Sequence, residues 1–283
     1  MPSQREIRRR IGAVRNIKQI TRAMQFVAAS KLKRAQDATL AARPYSQKID
    51  EVLADLASVL GAEDHPLLAR RDGGRRLIVL VTTDRGLAGP LNANTIRFAA
   101  KEITEHPGDV ALITVGRKGR DAMRRARVPI LAHFNGFGDR PAFSDVTPLA
   151  RLIVDEYLAG RAGRVDIIHS VFISTLAQRP QLDRLLPVEP AADTAGIPGR
   201  QFIFEPNPGE VLRQLLPRYV ATRLFQAVLE SRASEESSRM VAMKNATENA
   251  EDLIDDLTLS YNKVRQTNIT REMIEIATGA RAR

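Results

Sequence analysis

Apolar residues are arranged in two different ways along this chain. At both ends they recur every three or four positions, the spacing of one helix face. In the middle they bunch into short unbroken runs, as in strands buried on both sides. From Ser3 to about Leu60 the stripe runs Ile7, Ile11, Val14, Ile17, Ile20, Met24, Val27, Ala28, Leu32 and Ala35, then Ile49, Val52, Leu53, Leu56, Val59 and Leu60. Ser3 with Glu6 three residues on reads as a capping box. The steps of three between Ile11 and Ile20 depart from a heptad, so the stripe predicts a locally irregular coil. Pro44 predicts a kink or a break in the hydrogen bonding. From Gly209 to Arg283, Met240, Met243, Ala246, Ala250, Leu253, Leu257, Tyr261 and Val264 mark one face of a second long helix. Its only interior breakers are Pro217 near the start and Gly279 near the end. At 1.5 Å per residue such a helix is on the order of 100 Å long. A compact domain made from the rest would be ~40 Å across, so the helix is expected to project and to need a partner.

Between the helical ends, strand-like and helix-like segments alternate. The expected strands are Leu77–Thr82, Val110–Val115, Pro129–Phe134, Val165–Ser174 and two short ones, Leu185–Val188 and Phe202–Phe204. The expected helices are Pro90–His106, Arg117–Arg127 and Val146–Arg161. This order predicts an α/β sheet with helices on both faces. The expected domains are an N-terminal coiled-coil helix over 1–60, a globular α/β domain over 61–208 and a C-terminal coiled-coil helix over 209–283. Both long helices leave one body, so the economical fold class is α/β, with two long helices in an antiparallel coiled coil projecting from a Rossmann-like domain. Charge supports the pairing. Met1–Arg34 is strongly basic, whereas Asn245–Ser260 carries Glu248, Glu251, Asp252, Asp255 and Asp256 and no Lys or Arg. Opposite charges across a seam help fix its register.

Composition narrows the chemistry. The net charge of +10 points to an acidic partner: nucleic acid, an anionic membrane or an acidic protein surface. The absence of cysteine removes disulfides, thiolate-bound zinc and thiol catalysis. No apolar run is long enough to span a membrane. The Arg-rich start has the composition of a transit peptide, but its periodicity continues without a break past residue 34, as mature structure does. The loop from Thr83 to Asn92 lies between a strand and a helix, where phosphate loops occur, yet it carries neither GxxxxGK[ST] nor GxGxxG. The four histidines, His65, His106, His133 and His169, are scattered without metal-site spacing. No catalytic centre, cofactor site or metal site is expected. A basic nucleic-acid-binding coil and a nucleotide-dependent α/β enzyme are the rivals to a structural or coupling protein. The scarcity of stacking aromatics in the basic arm, where Phe26 stands alone, argues against nucleic acid.

Four motifs in order bear a family resemblance. Ile269-Thr270-Arg271-Glu272-Met273-Ile274-Glu275-Ile276-Ala277-Thr278-Gly279-Ala280 resembles the C-terminal signature of the gamma subunit of F-type ATP synthase. Ile17-Lys18-Gln19-Ile20-Thr21-Arg22-Ala23-Met24 with Val27–Leu32, Asp84-Arg85-Gly86-Leu87 with Leu91-Asn92, and Arg239–Thr247 resemble the same family. The chain departs from the common pattern at Ala88, where many members carry Cys, and at Pro90, where Gly is common. The cysteine-bearing regulatory insertion of the chloroplast form is missing, so thiol control is not expected.

The resemblance implies a non-catalytic rotor shaft, one copy per complex. It would be threaded through an alpha3-beta3 hexamer and seated with the epsilon subunit on a ring of c subunits. It implies contacts with the beta subunit at Met24, Arg239, Arg265 and Gln266, and the expected antiparallel register sets Arg239 opposite Met24. It implies an apolar stator collar around Ile269, Met273, Ile276 and Ala280, on a tip that overshoots the first helix. It also implies a foot on the c ring at Phe202, Phe204 and Glu205. Ser231–Ser238, small and moderately polar, would suit a sliding surface. The start of the chain without a leader suggests a bacterial protein, peripheral on the cytoplasmic side of the inner membrane.

Overall fold

The computed structural model describes residues 3–59, 65–71, 73–106, 108–135, 137–189, 205 and 207–281. The elements are α1 (Gln4–Val59), β1 (Arg75–Val81), α2 (Leu91–Glu105), β2 (Val110–Val115), α3 (Arg117–Arg125), β3 (Ile130–Phe134), α4 (Phe143–Leu158), β4 (Ala162–Phe172), β5 (Gln178–Leu186) and α5 (Pro208–Arg281). By its internal contacts the chain divides into two units: Met1–Ala28 with Arg239–Arg283, and Ala29–Ser238.

The larger unit is built on a five-stranded sheet of order β3-β2-β1-β4-β5. β1 pairs in parallel with β2 and β4, and β2 in parallel with β3. A parallel strand flanked on both sides and covered on both faces must be apolar at every position, and β1 is fully buried from Leu77 to Val81. Successive side chains alternate faces. Leu77, Val79 and Val81 join one core with Ile153 and Tyr157 of α4, Leu53 and Leu56 of α1, and Leu216 and Leu224 of α5. Ile78 and Leu80 join the opposite core with Ala99 of α2 and Met123 of α3. Each such fully buried aliphatic side chain contributes roughly 2 kcal/mol of transfer free energy.

The expected strand Leu185–Val188 is corrected. β5 begins at Gln178, runs antiparallel to β4 and forms an edge of the sheet, with Pro180 opposite Ser170. An edge strand needs no continuous apolar run and tolerates proline, so Gln178–Arg184 carries no strand signature. Phe202–Phe204 lies outside the described residues. α4 starts three residues earlier than expected, where the Asp145 carboxylate accepts a 2.8 Å hydrogen bond from the Ala142 backbone N–H. α1 runs through Pro44 as one helix, the proline lying on its exposed side.

The smaller unit is an antiparallel pair made from the start of α1 and the last part of α5. Its seam corrects the expected stripe. The seam of α1 follows Ile7, Ile11, Val14, Lys18, Thr21, Gln25 and Ala28, alternating steps of four and three, with Met24 half-buried beside Gln25. That is a regular heptad spacing, not an irregular one. Ile17 and Ile20, placed on the stripe by their side chains, are 51% and 60% exposed. The reason is geometric: steps of three lag the helical repeat, so a run of them drifts off the face that a straight partner can cover. On α5 the matching positions are Met243, Thr247, Ala250, Ile254, Leu257, Tyr261 and Val264, with Ile254 taking the place expected of Leu253.

Candidate coupling surfaces

Three contacts fix the register of the smaller unit. Arg8 Nη2 donates to Tyr261 Oη at 2.6 Å, Lys18 Nζ meets Glu251 Oε1 at 2.7 Å, and the Thr21 and Thr247 hydroxyls lie 2.8 Å apart. Residue n of α1 therefore faces residue 269 − n or 268 − n of α5. Met24 faces Lys244 or Asn245, so the expected pairing with Arg239 is displaced by five or six positions. The expected charge matching reaches the seam through Glu251, whose carboxyl is held below its ordinary range by the hydrogen bond and charge of Lys18. Asp252, Asp255 and Asp256 stay exposed.

Met24 and Arg239 are both half-buried. Arg265 and Gln266 are exposed on α5 at the level of the first turn of α1. Beyond them the register leaves no α1 residue to face. Ile269, Met273 and Ile276 are 48%, 60% and 72% exposed, and Ile274 beside them is 57% exposed. Ala280 lies in the same helix. Three aliphatic side chains and a methionine on one bare helical tip form an apolar surface that asks for an outside partner. Of the expected foot, Glu205 is exposed, while Phe202 and Phe204 lie outside the described residues.

In the larger unit, the crevice at the carboxyl ends of β1 and β4 is where the strand order reverses and where doubly wound sheets take their ligands. Here the chain fills it with its own groups. Asn92 Nδ2 donates to Thr83 Oγ1 at 2.8 Å, and Asn92 Oδ1 accepts from the Thr83 backbone N–H at 3.2 Å. The Asp84 carboxylate accepts the Arg117 backbone N–H at 3.1 Å, at the first turn of α3. That is the position a phosphate occupies when a helix start binds one. Gly116 (φ 90°) precedes that turn, and a Cβ there would sit 2.1 Å from the Thr82 carbonyl oxygen. Ser231, Arg232 and Glu235 of α5 line the remaining cavity of about 60 Å³.

Ser231–Ser238 is not a sliding surface, contrary to expectation. Ser234 and Ser237 are 0% exposed and Glu236 is 1% exposed. Ser234 Oγ donates to the Ser170 carbonyl at 3.0 Å, Ser237 Oγ to the Thr175 carbonyl at 2.7 Å and Ser238 Oγ to Gln178 Oε1 at 2.8 Å. Burial of serine hydroxyls requires such partners, and the β4–β5 hairpin supplies them. On the adjoining side, Arg232 pairs with Glu235 at 2.6 Å, with Glu236 at 3.2 Å and with Asp139, which also takes Lys31 Nζ at 2.6 Å. Sequence reasoning singled out this stretch but missed its burial and its partners, Lys31 and Asp139 among them. The available signal was serine at 231, 234 and 237, one face of a helix, around the adjacent acids Glu235 and Glu236.

Among the described residues no His, Cys, Asp or Glu group has the geometry of a metal site, and no helix is long and apolar enough to cross a membrane. His169, buried, sits 2.8 Å from Asp183 within the sheet unit.

A family model described as ATP synthase matches residues 3–282. The ATP synthase gamma chain of Pelotomaculum thermopropionicum is 43% identical over 282 residues, covering 100% of this chain and 99% of the relative. The gamma chain of Roseiflexus castenholzii is 47% identical over 287 residues, with the same coverage. Among solved structures, the rotor of the Euglena gracilis mitochondrial ATP synthase has a TM-score of 0.66 at 19% identity, over 94% of this chain and 98% of that one. The central stalk and c ring of the Tetrahymena thermophila enzyme gives a TM-score of 0.61 at 24% identity, over 80% of this chain and 99% of that one. These two share the fold, a mixed sheet with long terminal helices, and the full-length identities carry the descent: the chain belongs to the family of ATP synthase gamma chains.

Proposed function

We propose that this chain is the central rotor shaft of an F-type ATP synthase. It couples rotation of an ion-driven c ring to sequential conformational changes in catalytic beta subunits, and it performs no chemistry itself. The observation that carries the reading is the smaller unit: an antiparallel helical pair whose longer strand ends in exposed Ile269, Met273 and Ile276. Such a tip leaves apolar side chains in water until a partner covers them, and an alpha3-beta3 ring would provide an apolar collar at Ile269, Met273, Ile276 and Ala280. Exposed Arg265 and Gln266 would meet polar beta-subunit loops just below, and Met24 and Arg239 would meet acidic ones further down. With Met24 level with Lys244 and Asn245, these two contacts fall at different heights on the shaft. Glu205, with Phe202 and Phe204, would rest on the c ring beside the epsilon subunit. One copy per complex follows from a single central axle, and the complex would be peripheral on the cytoplasmic face of a bacterial inner membrane.

The test is purification of the native complex through a tag on this chain. Alpha, beta, epsilon and c subunits should co-purify with ATPase activity, and a probe fixed to this chain should rotate when ATP is added. Recovery of the chain alone, with salt-sensitive retention on DNA or tight nucleotide binding, would overturn the reading.

A further inference from the structure

A shaft transmits torque only if it cannot roll in its seat. Apolar packing is non-directional, so aliphatic contacts resist the roll of a helix through shape alone. Hydrogen bonds and charge-assisted pairs weaken steeply off their preferred angles and resist such a roll. Within the sheet unit, polar contacts of this kind gather on one stretch of α5, Ser231–Ser238. Ser234, Ser237 and Ser238 grip the β4–β5 hairpin at Ser170, Thr175 and Gln178. Arg232 grips the β3–α4 loop at Asp139. Arg232 and Ser234 are two positions apart, so their side chains leave the helix about 160° apart. Two attachments at different angles oppose rolling in either direction. Asp139 also holds Lys31, so α1 is referenced to the same loop as α5.

We infer that this polar collar, with Asp139 as the knot shared by Lys31 and Arg232, is the clutch that fixes the angle of α1 and α5 against the sheet within the larger unit. The inference rests on the rotor reading and adds to it which residues carry the load. It assigns Asp139 a positioning role, not a catalytic one. Replacing it should loosen the angle before it loosens the fold, because the apolar core of the unit does not depend on it.

The experiment uses the complete complex, fixed to a surface through its beta subunits. The chain has no cysteine, so Arg124→Cys, exposed on α3, gives this chain a single attachment point for a rotation probe. The angular variance of the probe during pauses is measured for the parent, for Asp139→Asn and for Ser234→Ala/Ser237→Ala. The two tethers act in parallel, so removing either should roughly double the variance, and Asp139→Glu should recover part of it. The thermal midpoint is recorded alongside, since a merely structural role would move it and leave the variance alone. Unchanged variance in both variants of a rotating complex would overturn the clutch, whatever the midpoint does. If one variant fails to assemble, the other decides. If the parent complex itself does not rotate, the rotor reading falls and takes the clutch with it.

Discussion

Asp166 is fully buried in β4, reached by Arg76 Nε at 2.6 Å and Arg164 Nε at 2.9 Å, while Arg76 also meets Glu102 at 3.4 Å. Removing Asp166 leaves Arg76, only 13% exposed, without its closest counter-charge. Asp166→Ala should therefore destabilise the chain by about 3 kcal/mol, read as a shift of the urea midpoint at unchanged slope. Two other carboxylates contribute to the acid response. Burial raises the Asp183 pKa, but hydrogen bonds from His169 and Gln181 outweigh it, so its carboxyl titrates below the ordinary 3.8. At Asp139 the hydrogen bond from Lys31 leads, opposed by burial and aided by the charge of Arg232, and the pKa is again lowered from 3.8. A depressed carboxylate contributes stability that is present above its unfolded value and lost as pH falls through the folded one. Urea midpoints of the full chain should thus drop as pH is taken below 3.8, and Asp139→Asn should flatten part of that slope. None of these pairings was legible in the sequence. Residues 31, 139 and 232 are brought together by tertiary structure, and no local period links them.

At the scale of elements, the strands buried on both faces were legible and the edge strand was not. Val110–Val115 appears with the expected bounds because every one of its side chains is buried, whereas β5 alternates polar groups along an edge and hides among loop-like residues. The long helices were legible in extent, but the seam of the smaller unit was not. The isoleucines drew the stripe through positions 17 and 20, while the seam seats Lys18, Thr21 and Gln25 instead. Side-chain type marks a face only where burial decides it, and Ile17 and Ile20 lie outside this pair of helices. Pro44, on the exposed side of α1, offers a direct test of how continuous that helix is. Pro44→Ala restores a backbone donor and removes a ring clash, so it should raise stability by about 1–3 kcal/mol, measured by thermal unfolding. A loss of stability would mean that a bend at this position is required.

For the molecule as a whole, the basic balance proved a poor guide taken alone. A net charge of +10 pointed equally to nucleic acid, membrane or acidic protein, and the motifs at the termini resolved what charge could not. The end of α5 tests how far the chain depends on outside partners. Residues 265–278 are exposed, so deleting residues 267–283 removes no buried side chain among the described residues. The deletion should change the unfolding free energy of the isolated chain by less than about 0.5 kcal/mol. Circular dichroism should show shortened helix at an unchanged midpoint. A large loss of stability would mean that the tip packs on its own chain.

The filled crevice of the sheet has a wider bearing. Doubly wound sheets usually keep the notch at their strand ends vacant for a visitor that comes and goes. Here Asp84 stoppers the helix mouth from within, and a tenant that never leaves, α5, lies across the rest. A sheet that has let its lodging to its own helix keeps only about 60 Å³ of it, and what so full a notch can hand on is mechanical.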